Sequence, residues 1–564
     1  MQHWQTAQLN SLIAALYLEN FANFRHFCHL DGEKLLITLD PSRTLKLSVR
    51  QPTRATCLLP MVIKDESVIL IVEGGEHASR VTLYDMLNVL TSAHWWPEST
   101  QAKAINLWHQ ALQGRTALAN LPALSSVSLE QASLSETTFE TVMEYRAMQI
   151  DRPNHPFAHA KGSLQALLGQ SSTEIDWWAL PKEHIFTQQI TGPAMALLNR
   201  EQQHDIAVKM RALFAEDATL YLALPALKSE RPIISLLPAA VCLNTQTLVQ
   251  STTSSLRSFQ FTARQHVKFA TSQTTLGAKR TMPPRYLHNG DAAYQLLQAL
   301  VLRSAVVADL LQLCDERAWW STGSEHNLIA CQGEFAVQMR SFPATGLAKL
   351  PRFTMAALNH PQSWLWLKAQ GFSLPALWMQ LLTGFVQLHL TLWQYGVLPE
   401  CHGQNLQVWL DDSGSWRFIL RDHDTLRICP TQLQHQGMEV PDYKINWHTP
   451  NTLVLPDLAA LLAYFTTLGV QVNLYPIAKA LESIGEYHET QFWQQLRECV
   501  ANVAKTLPTE ERTVLESNLL HAQEWPFKAI IAPLLHANES ATGMPSALYR
   551  IDNPLIAHSK ELYA

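Results

Sequence analysis

Glu400-Cys401-His402-Gly403-Gln404-Asn405 opens a stretch that closes on Arg421-Asp422-His423-Asp424 and decides how the C-terminal part of the chain folds. Between these polar ends, Leu406, Val408 and Leu410 alternate with Gln407, Trp409 and Asp411. After Asp412-Ser413-Gly414-Ser415, Trp416, Phe418 and Leu420 alternate with Arg417, Ile419 and Arg421. Period-two patterning on both sides of a Ser-Gly turn predicts a β-hairpin. A turn centred on Ser413-Gly414 sets Asn405 opposite Asp422 at the open end, and His402 and Glu400 converge on the same volume. Carboxylates and an amide gathered there suit Mg²⁺, which takes hard oxygen ligands and bridges nucleotide phosphates.

Working outward, the 564 residues are enough for roughly three to four domains. Hydrophobic residues make up 47% and charged residues only 16%, so a large buried core is expected. A net charge of −6 lacks the basic footprint of a nucleic-acid binder. The eight cysteines are scattered, with no Cys-x-x-Cys and no zinc spacing, which suits free thiols in a reducing cytoplasm. The first residues carry no basic run of the kind that opens a signal peptide. Gln370–Pro399 has no Asp, Glu, Lys or Arg, yet Gln380, Gln387 and Gln394 recur every seven residues and glycines and a proline interrupt it. That pattern predicts a buried amphipathic helix leading to His402 rather than a membrane span.

In chain order, residues 8–30 are expected to be helical, followed by strands at Leu35–Leu39, Leu45–Val49 and Val68–Val72. Helices are expected at Leu83–Ala93, Lys103–Leu112 and Thr137–Gln149, with a surface loop over 113–136. Leu220–Pro225 and Ile233–Pro238 suggest short strands, Asp291–Trp319 a long helix, and Phe335–Arg340 a strand. Leu453–Phe465, Ile477–Ile484 and Thr490–Leu507 are expected to be helical, and Leu548–Ile551 to dock from the tail.

Three basic features stand out. Asp151–Lys161 carries two X-Pro steps that fix a loop from which His155, His159 and Lys161 emerge to meet anionic oxygens. Ser251–Ser258 combines hydroxyls with Arg257, whose forked guanidinium suits carboxylate or phosphate. Lys268 and Arg280 follow soon after. Three cations close together in a chain of low charge point to an anion site.

These motifs together resemble the siderophore synthetases that act independently of non-ribosomal peptide synthetases, the IucA/IucC family. The family's Glu-Ala-His-Gly-Gln-Asn loop corresponds to Glu400–Asn405 and its strand ending in Arg-Asp to Ile419–Asp422. Its Ser-x-Arg-Thr loop corresponds to Ser255–Ser258, and its downstream Lys and Arg to Lys268 and Arg280. The family's His-Pro-x-His-Pro-x-x-Lys-x-Arg run departs here: only His155 is kept, with Arg152, His159 and Lys161 at the other basic positions.

The resemblance implies an α+β fold shaped like a cupped hand: an N-terminal thumb over 1–150, fingers with a mostly antiparallel sheet over 151–365, and a helix-rich palm over 366–564. It implies a ligase that uses ATP and Mg²⁺ to adenylate a carboxylate of citrate or a citrate derivative. An amine or alcohol then condenses with the acyl-adenylate, and AMP and pyrophosphate leave. It implies that Glu400, Asn405 and Asp422 hold the metal. His155, Ser255, Arg257, Ser258, Lys268, Arg280, His402 and Asn405 bind nucleotide or carboxylate, with His402, Arg257 and Arg280 closest to the chemistry. It also implies a homodimer with no nucleic-acid or membrane partner. Two other readings remain at this stage: a kinase-like phosphotransferase, suggested by His-x-x-Asn, a hairpin and then Asp, and a catalytically weakened homologue that binds a siderophore precursor, suggested by the altered 151–161 loop.

Overall fold

The computed structural model describes residues 3–557 except 51–57, 59–61, 73–77, 120–135, 151–153, 161–166, 168, 169, 171, 190, 251, 276, 277, 346, 347, 449–451 and 538–545. At the N-terminus, the helix His3–Leu18 covers an antiparallel sheet of five strands in sequential order, Cys28–Asp31, Lys34–Asp40, Arg43–Arg50, Val62–Val72 and Ser79–Val81. The three strands read from the sequence are among them. The first helix stops at Leu18, short of the expected residue 30, because Asn20, Ala22 and Asn23 turn into the left-handed region and the chain enters a strand at Cys28. The helix Gln101–Ala119 outruns its expected end at Leu112, since Trp108, Ala111, Leu112 and Leu118 continue one buried stripe.

Two sheets form the middle of the chain. Tyr221–Leu227, Ser172–Pro181 and Val241–Gln250 make one of three strands. Ile233–Pro238 is not a strand: Arg231–Ile234 is a helical turn, begun by Pro232 in its first turn, a position where proline's missing N–H costs nothing. The second sheet runs Ser258–Thr262, Gln265–Phe269, Ala336–Ser341, Asp315–Thr322 and Ile185–Phe186. Its register places Ser258 opposite Lys268 and Lys268 opposite Gln338, with His266 opposite Arg340. Side chains alternate faces along a strand. One face therefore carries Phe259, Val267, Phe269, Val337 and Met339 into an apolar core. The other carries Ser258, Gln260, His266, Lys268, Gln338 and Arg340, all buried. A sheet face that is both polar and buried needs partners.

Those partners come from the C-terminal unit. Its four-stranded sheet runs Leu311–Leu313, Trp416–Leu420, Leu406–Asp411 and Ala348–Thr354. The expected helix over Asp291–Trp319 is therefore wrong beyond Leu310. Pro284–Arg303 is helical, Ser304 caps a short helix to Leu310, and the chain then pairs with Phe418–Leu420 and continues into the middle sheet. Sheet pairing overrides local propensity there. The strand Ala348–Thr354 lies on the fingers side of the expected boundary at 365 but pairs with the palm hairpin.

The hairpin forms with its register one step from the expected one. Leu406 pairs with Leu420 and Leu410 with Trp416, so Asn405 faces Arg421 rather than Asp422. The loop has three residues: Asp411 N–H bonds to the Ser415 carbonyl at 3.1 Å and Gly414 sits at φ +85°. A left-handed third residue is what such a loop requires.

The helix Leu374–Gln394 is buried as the patterning predicts, beside Leu458–Ser483 and Glu489–Thr506. Leu458–Ser483 joins the two expected helices through a wider π segment at Phe465–Leu474. By length and composition it could cross a membrane, but it packs inside the main core cluster. Ala547–Asp552 docks as a strand on Glu524–Ala529.

Candidate functional site

The hairpin's open end meets the polar face of the middle sheet. Asp422 accepts a hydrogen bond from Lys268 Nζ at 2.5 Å and an ion-pair hydrogen bond from Arg340 Nη2. Arg340 also reaches Glu316 Oε1 at 2.6 Å and donates to Ser258 Oγ at 3.4 Å. Burial works to raise the Asp422 pKa, but Arg340, Lys268 and Arg421 hold it well below the usual carboxylate range. Asp422 and Glu316 hold the Arg340 guanidinium above its own ordinary value despite its burial. Burial pushes Asp424 up to about 6, with Asp422 and Glu316 adding to the rise and Lys268 and Arg257 opposing it.

Arg257 is in the same neighbourhood. Burial lowers its pKa, and the charges of Asp422 and Asp424 oppose that shift, so it lies within electrostatic reach of both. Its Nη1 donates to the carbonyls of Arg280 at 2.7 Å and Thr281 at 3.1 Å. Among the described residues it makes no ion pair. The guanidinium is thus aimed by neutral oxygens while its charge stays uncompensated by a direct carboxylate contact. Ser255 Oγ accepts from Ser258 N–H at 3.2 Å and shares a hydrogen bond with Thr253 Oγ1 at 3.1 Å, which shapes the loop. Leu256, at φ +62°, and Asp422, at φ +59°, occupy the left-handed region on either side of the site. Such a conformation costs a non-glycine residue about 1–3 kcal/mol and tends to occur at binding sites.

Glu400, His402 and Asn405 form a second group on the approach to the hairpin. Glu400 Oε2 lies 3.7 Å from His402 Nε2 and accepts from Asn405 Nδ2 at 3.4 Å. The structure therefore divides the three oxygen ligands named from the sequence: Glu400 and Asn405 stand together, and Asp422 is engaged by Lys268 and Arg340. Among the described residues, no three His, Cys, Asp or Glu side chains cluster as a metal cage. The donor set fits an Mg²⁺ that keeps water and phosphate oxygens and takes one or two carboxylates.

His155 is buried in a loop whose described hydrogen bonds run elsewhere. Gln8 Nε2 donates to the Pro156 carbonyl and Asn154 Nδ2 to the Leu58 carbonyl, and Phe157 belongs to the N-terminal core. Arg152 and Lys161 lie outside the described residues. The sequence patterns gave Arg421 a place in the Arg-Asp motif but no role, and they did not point to Arg340, Glu316 or Glu144, the last of which accepts from Arg421 Nη1 at 3.4 Å and from Ser254 N–H at 2.9 Å. The available signal was an arginine at an alternating position of an apolar strand, Ala336–Ser341, and two acidic residues, Glu140 and Glu144, one helical turn apart among apolar neighbours.

Residues 238–360 match the IucA / IucC family. This chain carries an IucA/IucC family segment. That segment holds Ser255, Arg257, Ser258, Lys268, Arg280 and Arg340. Residues 380–542, which include Glu400–Asp424, match a family described as a ferric iron reductase FhuF-like transporter. The chain is 35% identical to staphyloferrin B synthase of Staphylococcus aureus over 307 residues, 52% of this chain and 52% of that protein. The match thus spans about half the length of that relative.

The IucA/IucC resemblance extends to solved structures. The petrobactin biosynthesis protein AsbB of Bacillus anthracis aligns over 99% of this chain and 96% of its own, with TM-score 0.77 and 15% identity. ATP-bound aerobactin synthetase IucA of Klebsiella pneumoniae aligns over 97% and 99%, with TM-score 0.70 and 14% identity. Aerobactin synthetase IucC of the same organism aligns over 99% and 100%, with TM-score 0.70 and 16% identity. The fold is that of these siderophore synthetases.

Proposed function

We propose that this chain is an ATP-dependent siderophore synthetase. A carboxylate of citrate or a citrate derivative attacks the α-phosphorus of ATP, and the bond to the β-phosphate oxygen breaks to release pyrophosphate. An amine or hydroxyl then attacks the acyl carbon, AMP leaves, and the nucleophile's proton passes to solvent or to a basic group. A free carboxylate is a poor acyl donor because its leaving group is oxide; adenylation supplies a good one.

The observation that carries this reading is the meeting of Arg257, Lys268 and Asp422, which come from a loop, a middle-sheet strand and the palm hairpin. Both reactants of the first step are anions, so the site must stabilise growing negative charge with groups fixed beforehand. Arg257, held by two carbonyls, is preorganised for the α-phosphate or the acid's carboxylates. Lys268 and Arg280 add positive charge. Ser255 shapes the loop and Ser258 anchors Arg340. His402 is set to contact the nucleotide or the acyl group, and His155 contributes from the N-terminal side. Glu400 and Asn405, with Asp422, are the residues that would hold Mg²⁺, which supplies charge neutralisation on the phosphates when bound.

The test is a pyrophosphate-release screen with citrate, mono-substituted citrates, succinyl hydroxamates and 2-oxoglutarate, each against a panel of amines and amino acids. A synthetase forms AMP and pyrophosphate in equal amounts. ADP as the nucleotide product would replace this reading with phosphotransfer, and tight ATP or citrate binding without AMP would identify a precursor-binding homologue. We further propose that the protein works in the cytoplasm as a homodimer, in three units near the boundaries 150 and 365.

A further inference from the structure

The helix Glu136–Gln149 runs between the two halves of the site and turns two buried glutamates towards them, Glu140 and Glu144. Four residues apart, they share one helix face. Glu140 enters a network of its own, which includes Gln407 of the hairpin, whose Nε2 donates to it at 3.4 Å. It accepts from Arg352 Nη1 at 2.6 Å and Nη2 at 2.9 Å and from Gln260 Nε2 at 3.0 Å, and lies 3.2 Å from His266 Nε2. Glu144 is different. One of its oxygens accepts the backbone N–H of Ser254, three residues before Arg257. The other accepts from Arg421, the residue before Asp422. Arg421 in turn donates from Nε to the Gln404 carbonyl at 2.8 Å, and its backbone N–H bonds to the Asn405 carbonyl at 3.0 Å.

We propose that Glu144 is a positioning residue that sets the separation between the Arg257 loop and the Asn405–Asp422 end of the hairpin. A single carboxylate, buried and bonded once to each half, fixes both at once. It touches neither partner of the reaction; it acts through Ser254 and Arg421. This rests on the synthetase reading. Misplacing reacting groups by about 1 Å can cost 10²-fold in rate even when the change is remote from the chemistry.

Glu144→Gln keeps an acceptor for Ser254 and removes the charge that faces Arg421, and Glu140→Gln is its control on the same helix. Three readouts are taken: thermal midpoint, amide hydrogen exchange over 252–258 and 402–406, and kcat and KM for pyrophosphate release. Glu144→Gln is expected to speed exchange in both segments and to lower kcat roughly 10–100-fold per folded molecule. Glu140→Gln is expected to lower the midpoint further while the folded fraction keeps its kcat. Equal exchange in Glu144→Gln and wild type overturns the proposal, and so does a wild-type kcat. If the wild-type protein releases no pyrophosphate with any acid, the synthetase reading falls separately, and hydrogen exchange alone decides whether Glu144 holds the two segments. Glu144→Ala is a second variant, with the glutamine form deciding the outcome should the alanine form not fold.

Discussion

Lys268 Nζ stands 2.5 Å from Asp422 Oδ1, although 154 residues separate them in the chain. The pair joins the middle sheet to the hairpin end, and Arg340 closes it from the next strand. The two cations have different duties. Arg340 also forms an ion pair with Glu316 and a hydrogen bond to Ser258, whereas Lys268 has Asp422 as its one described ion-pair partner. Lys268→Met leaves Asp422 with Arg340, so folding should survive with a small loss of thermal midpoint while pyrophosphate release falls ~10²–10³-fold. Arg340→Met removes the ion-pair partner of the buried Glu316 and leaves Asp422 with Lys268, and should cost about 3–5 kcal/mol of stability. Urea unfolding and pyrophosphate release, measured on both variants, separate these outcomes. Equal losses of stability would show that the two cations are equivalent supports.

The Glu140 network gives a pH signature. Burial opposes ionisation of Glu140, but Arg352 and His266 outweigh it and hold the carboxyl down to about 2, from an ordinary value of 4.5. A depressed carboxylate stabilises the fold above its unfolded pKa, and that contribution is lost as pH falls through the window from about 4.5 to about 2. Acid unfolding of the wild type should therefore steepen in that window. Glu140→Gln should start less stable at neutral pH and show a shallower acid slope. Parallel acid-unfolding curves for the two proteins would contradict the assignment.

Asp291 has the opposite sign. Burial pushes its carboxyl up to about 7 from 3.8; the Trp319 indole N–H, bonded at 3.0 Å, and Arg317 oppose the rise, while Asp315 and Glu316 add to it. The fold favours the protonated acid, so stability from this group is lost as pH rises from about 3.8 through about 7. Asp291→Asn keeps an acceptor for the indole and carries no charge. Its stability relative to wild type should improve on passing from below pH 3.8 to above about pH 7. A constant difference across that range, measured by urea unfolding, would show that Asp291 ionises freely in the fold.

The hairpin was legible in the sequence because period-two patterning and a Ser-Gly turn report local geometry. Its register was not, because a three-residue loop with Gly414 left-handed shifts the pairing by one from a two-residue turn. The residues of the site were legible only as motifs. Ser258, His266, Lys268 and Arg340 alternate with apolar residues, a pattern that normally marks a solvent face. Here a second layer brings Asp422, Glu140 and Glu316 against that face, and no local pattern reports such an encounter. The break after Leu310 was hidden for the same reason: Leu311–Leu313 is a strand because Phe418–Leu420 offers it a partner.

Gly403, between His402 and Gln404, shows why the motif needs a residue without a side chain. Its φ is not left-handed; the constraint is space. A Cβ on Gly403 would lie 2.8 Å from the Ala356 backbone N, 2.9 Å from Ala356 Cα and 2.9 Å from Asn473 Oδ1. The Ala356 N–H also donates to the Gly403 carbonyl at 3.0 Å, and Thr354 Oγ1 to the same carbonyl at 3.1 Å, so neither neighbour can retreat without losing a bond. Asn473 is itself pinned by its Nδ2 donation to the Cys401 carbonyl at 3.0 Å. Gly403→Ala must therefore push the 401–405 loop away from Ala356, displacing His402 and Asn405. Overpacking of this kind typically costs about 1–3 kcal/mol. The expected outcome is a lowered thermal midpoint together with a fall in kcat for pyrophosphate release that persists well below the midpoint, where the protein is folded. Gly414→Ala provides the contrast: it strains the far end of the same hairpin at φ +85°, with its nearest neighbour the mobile end of Lys349, and should lower the midpoint while leaving kcat close to wild type. If the two alanine variants lose kcat alike, the loop's placement against Ala356 has no special bearing on the site.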